Sequence, residues 1–255
     1  MGPQPDGPPP PPIVQRLRLQ YTRRGRLRFT SHRDLARVLE RAIRRAGVPI
    51  AFSAGFSPHP KISYVGACPT GVASEAEYLE LGLSLVCDAE RVRRALDEAL
   101  PPGIDVVAAV LAVPGEPSLP DRIDASRWRV RLPGVSPAEL RGAVAAFLAA
   151  ELVPVQRRTK DGSRELDARA PIVVARVSEA GQDEACATLD LVVRHATPAV
   201  RPDDVLAGLR SVAGLVPVAP PEATRLAQGL LDPDGELIDP FARSGLQQVE
   251  DPAVA

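Results

Sequence analysis

The chain has 255 residues, 45% of them apolar and 25% charged, enough to bury one large core or two ordinary ones, which excludes disorder of the whole. The net charge is −1, but residues 13–64 hold twelve basic residues against Asp34 and Glu40, so a +10 segment stands against −11 elsewhere. No signal-peptide pattern opens the chain and no apolar run of about 18 residues occurs, so a cytoplasmic protein that does not cross a membrane is expected.

Residues 1–12 are more than half proline and predict a disordered start. Leu17, Leu19 and Tyr21 then alternate with Arg16 and Arg18, the period of a strand. Ser31 followed by Asp34 reads as a helix start. Leu35, Val38, Leu39, Ala42, Ile43 and Ala46 fall on one helical face until Gly47 and Pro49, with Arg33, Arg37, Arg41, Arg44 and Arg45 on the other. A short strand near 48–52, a loop bent by Gly55, Pro58 and Pro60, and extended residues 61–65 follow. Alternation over 76–86, a helix over 88–100 and a β-branched strand over 104–113 complete the order β-α-β-β-α-β.

That order predicts a ferredoxin-like unit over 13–113, an antiparallel sheet with two helices on one face. After a linker at 114–125 the pattern restarts. The readings are a strand at 127–132, a helix opened by Ser136 and Pro137, a hairpin turning at Lys160, Asp161 and Gly162, strands at 172–178 and 185–194, a helix at 202–214 and a closing strand at 215–218. The expected fold is therefore α+β, two tandem ferredoxin-like units at 13–113 and 126–218 with antiparallel sheets, and an acidic, proline-interrupted, largely irregular tail over 219–255.

The chemistry-bearing residues concentrate in the first half. Ser31, His32 and Arg33 stand at a helix start, where free N–H groups and the helix dipole favour an anion. Arg37, Arg41 and Arg44 extend the basic face, and His59, Lys61, Phe56 and Tyr64 cluster around the proline-bent loop. Aromatic rings beside cations are the means by which unpaired RNA is held, through base stacking and phosphate contact. We expect these ten residues to bind RNA, with Ser31, His32, His59 and Lys61 converging on one pocket. Competing readings are a solvated arginine face, loop-anchoring aromatics and, for the helix, an acidic protein partner.

Three stretches are specific: Phe29-Thr30-Ser31-His32-Arg33-Asp34-Leu35; then Phe52 through the loop to Pro60-Lys61-Ile62-Ser63-Tyr64; then Gly71-Val72-Ala73-Ser74-Glu75-Ala76-Glu77-Tyr78. They closely resemble the radical SAM-linked protein family, bacterial domains found beside or fused to radical SAM proteins. The resemblance spans residues 15–215 and takes in 157–169 and 201–209. It implies an accessory protein with a radical SAM enzyme as partner; together with the basic half and the tandem fold, it leads us to expect tRNA or another structured RNA as ligand.

Cys68, Cys87 and Cys186 are too dispersed for an iron–sulfur cluster, so the chain is not itself the radical enzyme. They suggest reduced thiols, and His32, His59 and Cys68 match no standard metal spacing. Dinucleotide, P-loop, zincin and nucleophile-elbow motifs are absent, so no cofactor and no complete catalytic motif are expected. The alternative enzyme reading is RNA processing or modification with His32 or His59 as acid or base.

Overall fold

The computed structural model describes residues 10–159, 162–178 and 186–242. It is a mixed α+β protein with four α-helices around a large, mostly antiparallel sheet. No helix among the described residues is long and apolar enough to cross a membrane.

In the first half the strands are β1 (Gln15–Arg23), β2 (Ile62–Val65), β3 (Ala73–Leu83) and β4 (Val106–Leu111). They lie in the order β4-β1-β3-β2, every pair antiparallel. Helices α1 (His32–Arg45) and α2 (Ala89–Ala99) cover one face. The reason is in the side-chain period. Leu17, Leu19 and Tyr21 of β1 and Leu79, Leu81 and Leu83 of β3 point to one side, where they meet Leu35, Leu39 and Ile43 of α1 and Val92 and Leu96 of α2. Each such side chain removed from water contributes about 1.5–3 kcal/mol before its ordering cost. Asp88 caps α2 by accepting from the Arg91 N–H at 2.7 Å.

The second half contains β5 (Ala125–Pro133), α3 (Pro137–Ala149), β6 (Pro154–Thr159), β7 (Gly162–Asp167), β8 (Ile172–Val177), β9 (Cys186–Arg194), α4 (Pro202–Ala213), β10 (Glu222–Leu231) and β11 (Leu237–Ile238). The sheet order is β10-β5-β9-β8, again antiparallel throughout, while β6 and β7 form a separate hairpin inserted before β8. The expected turn residues Lys160 and Asp161 lie outside the described residues, as do 1–9 of the proline-rich start. Trp128, Val130 and Leu132 of β5 face a core shared with Leu140 and Phe147 of α3 and Val205 and Leu209 of α4.

Three expectations need correction. The two halves do not carry separate sheets: β3 and β10 pair in parallel through Thr224↔Ala73 and Arg225↔Ser74, making one nine-stranded sheet. The closing strand is not 215–218 but β10, within the segment read as an irregular tail. Gly214 ends α4 in a left-handed turn at φ 69°, and Val216 and Val218 are exposed. The strand was hidden because its buried positions are Arg225, Gln228 and Gly229 rather than apolar residues, and a bulge between Arg225 and Ala227 breaks the period of two. Finally, the strand expected near 48–52 is reduced to isolated bridges, Ile50↔Leu83 and Phe52↔Pro60, since Pro49 and Pro60 offer no N–H to a ladder.

The junction of the halves is polar and largely buried. Arg225 and Glu77, with side chains 4% and 1% exposed, form an ion pair. Arg225 also donates to Gln228 Oε1 at 3.0 Å and Ser74 Oγ at 3.4 Å. Nearby, the buried Arg23 guanidinium donates to the carbonyls of Cys68, Pro69 and Val72, holding the loop that leads into β3.

Candidate nucleic-acid interface

The first half presents its unusual residues around the start of α1. A 3-10 turn, Gly25–Phe29, leaves Phe29 60% exposed, with the Arg28 guanidinium 4.8 Å from its ring centroid. Ser31 caps the helix. Its hydroxyl accepts from the Asp34 N–H at 3.2 Å and donates to Asp34 Oδ2 at 2.7 Å, so that oxygen is committed and a carboxylate sits at the helix start. His32 turns its ring against Tyr64 of β2, centroids 5.1 Å apart and planes 76° from parallel, an edge-to-face contact. Burial, and then Glu40, push the Tyr64 phenol well above its ordinary pKa. Tyr64 Oη and Arg28 Nε are buried and have no hydrogen-bond partner among the described residues.

The proline-bent loop is closed at its base. Ser53 N–H donates to the His59 carbonyl at 2.8 Å and His59 N–H to Ser53 Oγ at 3.0 Å, beside the Phe52↔Pro60 bridge. Gly55, at φ 120°, makes the bend, and Phe56 next to it is 71% exposed. The Lys61 backbone is tied to Ala51 and Gly82, leaving its side chain at the surface. The structure thus joins His32 to Tyr64 and His59 to Ser53. Among the described residues no hydrogen bond or ion pair links Ser31, His32, His59 and Lys61 to one another.

The arginines of α1 separate into two kinds. Arg37 pairs with Asp34 at 3.3 Å, both largely exposed, whereas Arg33, Arg41 and Arg44 are exposed and make no ion pair among the described residues. The second half differs. Arg127, Arg129 and Arg131 alternate along the open face of β5, yet each has a carboxylate partner: Glu236, Asp190 at 2.9 Å and Glu222 at 3.2 Å respectively. The second half has exposed arginines of its own without an ion pair among the described residues, Arg141 and Arg210 among them, so what distinguishes the first half is the +10 charge of residues 13–64, which would attract an anion.

Sequence reasoning passed over several residues with chemical potential. Ser126 Oγ and His195 Nε2 lie 2.7 Å apart, and Trp128 and Arg225 meet across 5.5 Å. The alternation of Arg127, Arg129 and Arg131 with Trp128 and Val130 was available as a signal; the pairing of Ser126 with His195, 69 positions on, was not. Among the described residues no group of three or more His, Cys, Asp or Glu could hold a metal ion.

The fold and this surface define an α+β sheet protein with an aromatic and basic face on its first half. The chain belongs to a family described as an uncharacterized protein conserved in bacteria, DUF2344, whose model matches residues 16–202. No curated protein matches it. Among solved structures, the first two RRM domains of the yeast poly(U)-binding protein Pub1 align at 14% identity over 83% of this chain and 98% of that one, with a TM-score of 0.24.

Proposed function

We propose that the chain is an RNA-binding module, built as two ferredoxin-like units in tandem, that presents a tRNA or other structured RNA to a separate radical SAM enzyme. The duplication rests on the matching strand orders β4-β1-β3-β2 and β10-β5-β9-β8, each with two helices packed on one face. The partner enzyme rests on the resemblance of the three stretches around Ser31, His59 and Glu75.

One observation carries the RNA reading. Of five phenylalanines in the chain, Phe29, Phe52 and Phe56 are exposed, and all three flank in sequence the helix whose Arg33, Arg41 and Arg44 make no ion pair among the described residues. Leaving such rings in water forgoes burial of about 1.5–3 kcal/mol each, a cost that base stacking would recover. The cations would hold the backbone and the rings the bases. Ser31, with its hydroxyl engaged by Asp34, acts through the helix cap that positions His32 and Arg33 rather than as a phosphate ligand.

The test is anisotropy of a labelled RNA with an unpaired loop. Phe29→Ala and Phe56→Ala should each weaken binding by about 1–3 kcal/mol, or roughly 5- to 150-fold. Exchanging Arg37, Arg41 and Arg44 for Glu should weaken all sequences alike and flatten the salt dependence. Binding that ignores both sets of changes would sink the assignment.

A further inference from the structure

Beside the parallel seam of β3 and β10 lies a cavity of about 300 Å³, at the small end for a ligand site, with walls from both halves. Ala67 and Pro69 come from the first half, and Trp128, His195 and Arg201 from the second. Its polar floor is already satisfied. The Arg225 guanidinium is engaged by Glu77, Gln228 and Ser74, and Gln228 Nε2 donates to the Ala76 carbonyl at 2.7 Å. Ser126, 1% exposed, shares its hydroxyl with His195 Nε2 at 2.7 Å.

These commitments decide which ligand fits. Desolvation, and secondly Arg225, lower the His195 pKa below its ordinary value, while Asp124 opposes them, so the imidazole is neutral at pH 7. The interior therefore offers no free cation, and a bare anion would gain little from entering it. Arg201 differs: it is exposed and makes no ion pair among the described residues. A neutral planar heterocycle would meet the indole of Trp128 and the apolar side chains of Val193 and Val200. At its edge it would find an imidazole and a hydroxyl able to exchange hydrogen bonds.

We propose that this cavity binds a nucleobase, with the attached phosphate directed toward Arg201. The site uses none of the side chains assigned to the aromatic and basic face, so it stands or falls separately from that reading. A free nucleotide and an unpaired residue of an RNA strand carry the same chemistry, and the experiment distinguishes them.

Trp128 is the single tryptophan, so its fluorescence in the full chain reports on the cavity directly. The probes are the four ribonucleoside monophosphates and, separately, an unlabelled single-stranded oligoribonucleotide. Saturable quenching is expected, weakened about tenfold or more by Ala67→Phe, which adds a ring to the cavity's lining. If that variant melts early, Ala199→Phe adds the ring from the second half's side of the lining instead. Phe56→Ala should leave quenching by mononucleotides unchanged while impairing strand binding by anisotropy. Blockable quenching by mononucleotides makes a free nucleotide a sufficient ligand; blockable quenching by the oligonucleotide alone makes the ligand part of a strand. No quenching by either probe, or quenching indifferent to both blocking variants, overturns the proposal whatever the anisotropy shows.

Discussion

Replacing Glu77 with Ala would leave the Arg225 guanidinium buried at the centre of the sheet without its counter-charge. Glu77 accepts from Arg225 through one carboxylate oxygen and from the Cys68 N–H, at 3.2 Å, through the other. Loss of both leaves a cation and a backbone donor without that partner, at 4% and 5% exposure. Breaking a buried pair from one side costs about 3–5 kcal/mol, a large share of the 5–15 kcal/mol that stabilises an ordinary domain. Removing both charges at once, as Glu77→Leu with Arg225→Met, leaves no ion unpaired and should cost less than Glu77→Ala alone. Urea titration followed by Trp128 fluorescence measures Glu77→Ala, the single variants Glu77→Leu and Arg225→Met, and the double variant, since the Trp128 ring lies 5.5 Å from Arg225. A loss below about 1 kcal/mol for Glu77→Ala would show that Arg225 is solvated through the neighbouring cavity and refute the buried-pair argument. A double variant costing as much as the two single ones added together would show that the groups do not act as a pair.

Other outcomes follow from packing and titration. Gly208 lies in α4 where an added Cβ would sit 2.7 Å from Phe147 Cε2 and 3.1 Å from Val153 Cγ1, so Gly208→Ala should destabilise by about 1–3 kcal/mol. That would reverse the gain of about 0.5–1 kcal/mol usual for this change in a helix, and a rise in melting temperature would show that α4 is packed less closely. Burial pushes the Cys68 thiol up from 9.0 to about 11, so between those values the unfolded chain has released a proton that the folded one retains. Stability should therefore fall as pH rises through that window, and less steeply in Cys68→Ala. Thermal melts across the range check the slope; equal slopes in both proteins would exclude the thiol as a cause.

Elements whose buried face is apolar were legible in the sequence. The helix α1 was readable from Leu35, Leu39 and Ile43 and from Ser31 as its cap, and the structure places both as read. In contrast, β10 buries an arginine, a glutamine and a glycine, residues whose inward placement depends on Glu77 and Ser74, about 150 positions earlier. Periodicity reports local solvent preference, and a strand satisfied by a distant carboxylate carries none. The candidate surface divides similarly. Its residue types and the Ser31–Asp34 cap were visible, but that Phe29 and Phe56 stand in water was not. The cavity at the seam was invisible, being assembled from residues 66–69, 126–128, 193–201 and 225–228.

The place of β10 also bears on how the chain is made. It is the last long strand to be synthesised, yet it lies between β3 and β5 in the sheet order. Until residue 231 has emerged, β5 has an unpaired edge and the start of β3 lacks its neighbour, both open to pairing with other nascent chains. A nascent chain stopped near residue 221 would have made the four described helices and every described strand except β10 and β11, while lacking the piece that joins the halves. Any stop codon or protease cut just upstream of Glu222 is thus expected to yield an aggregating species rather than a smaller soluble one.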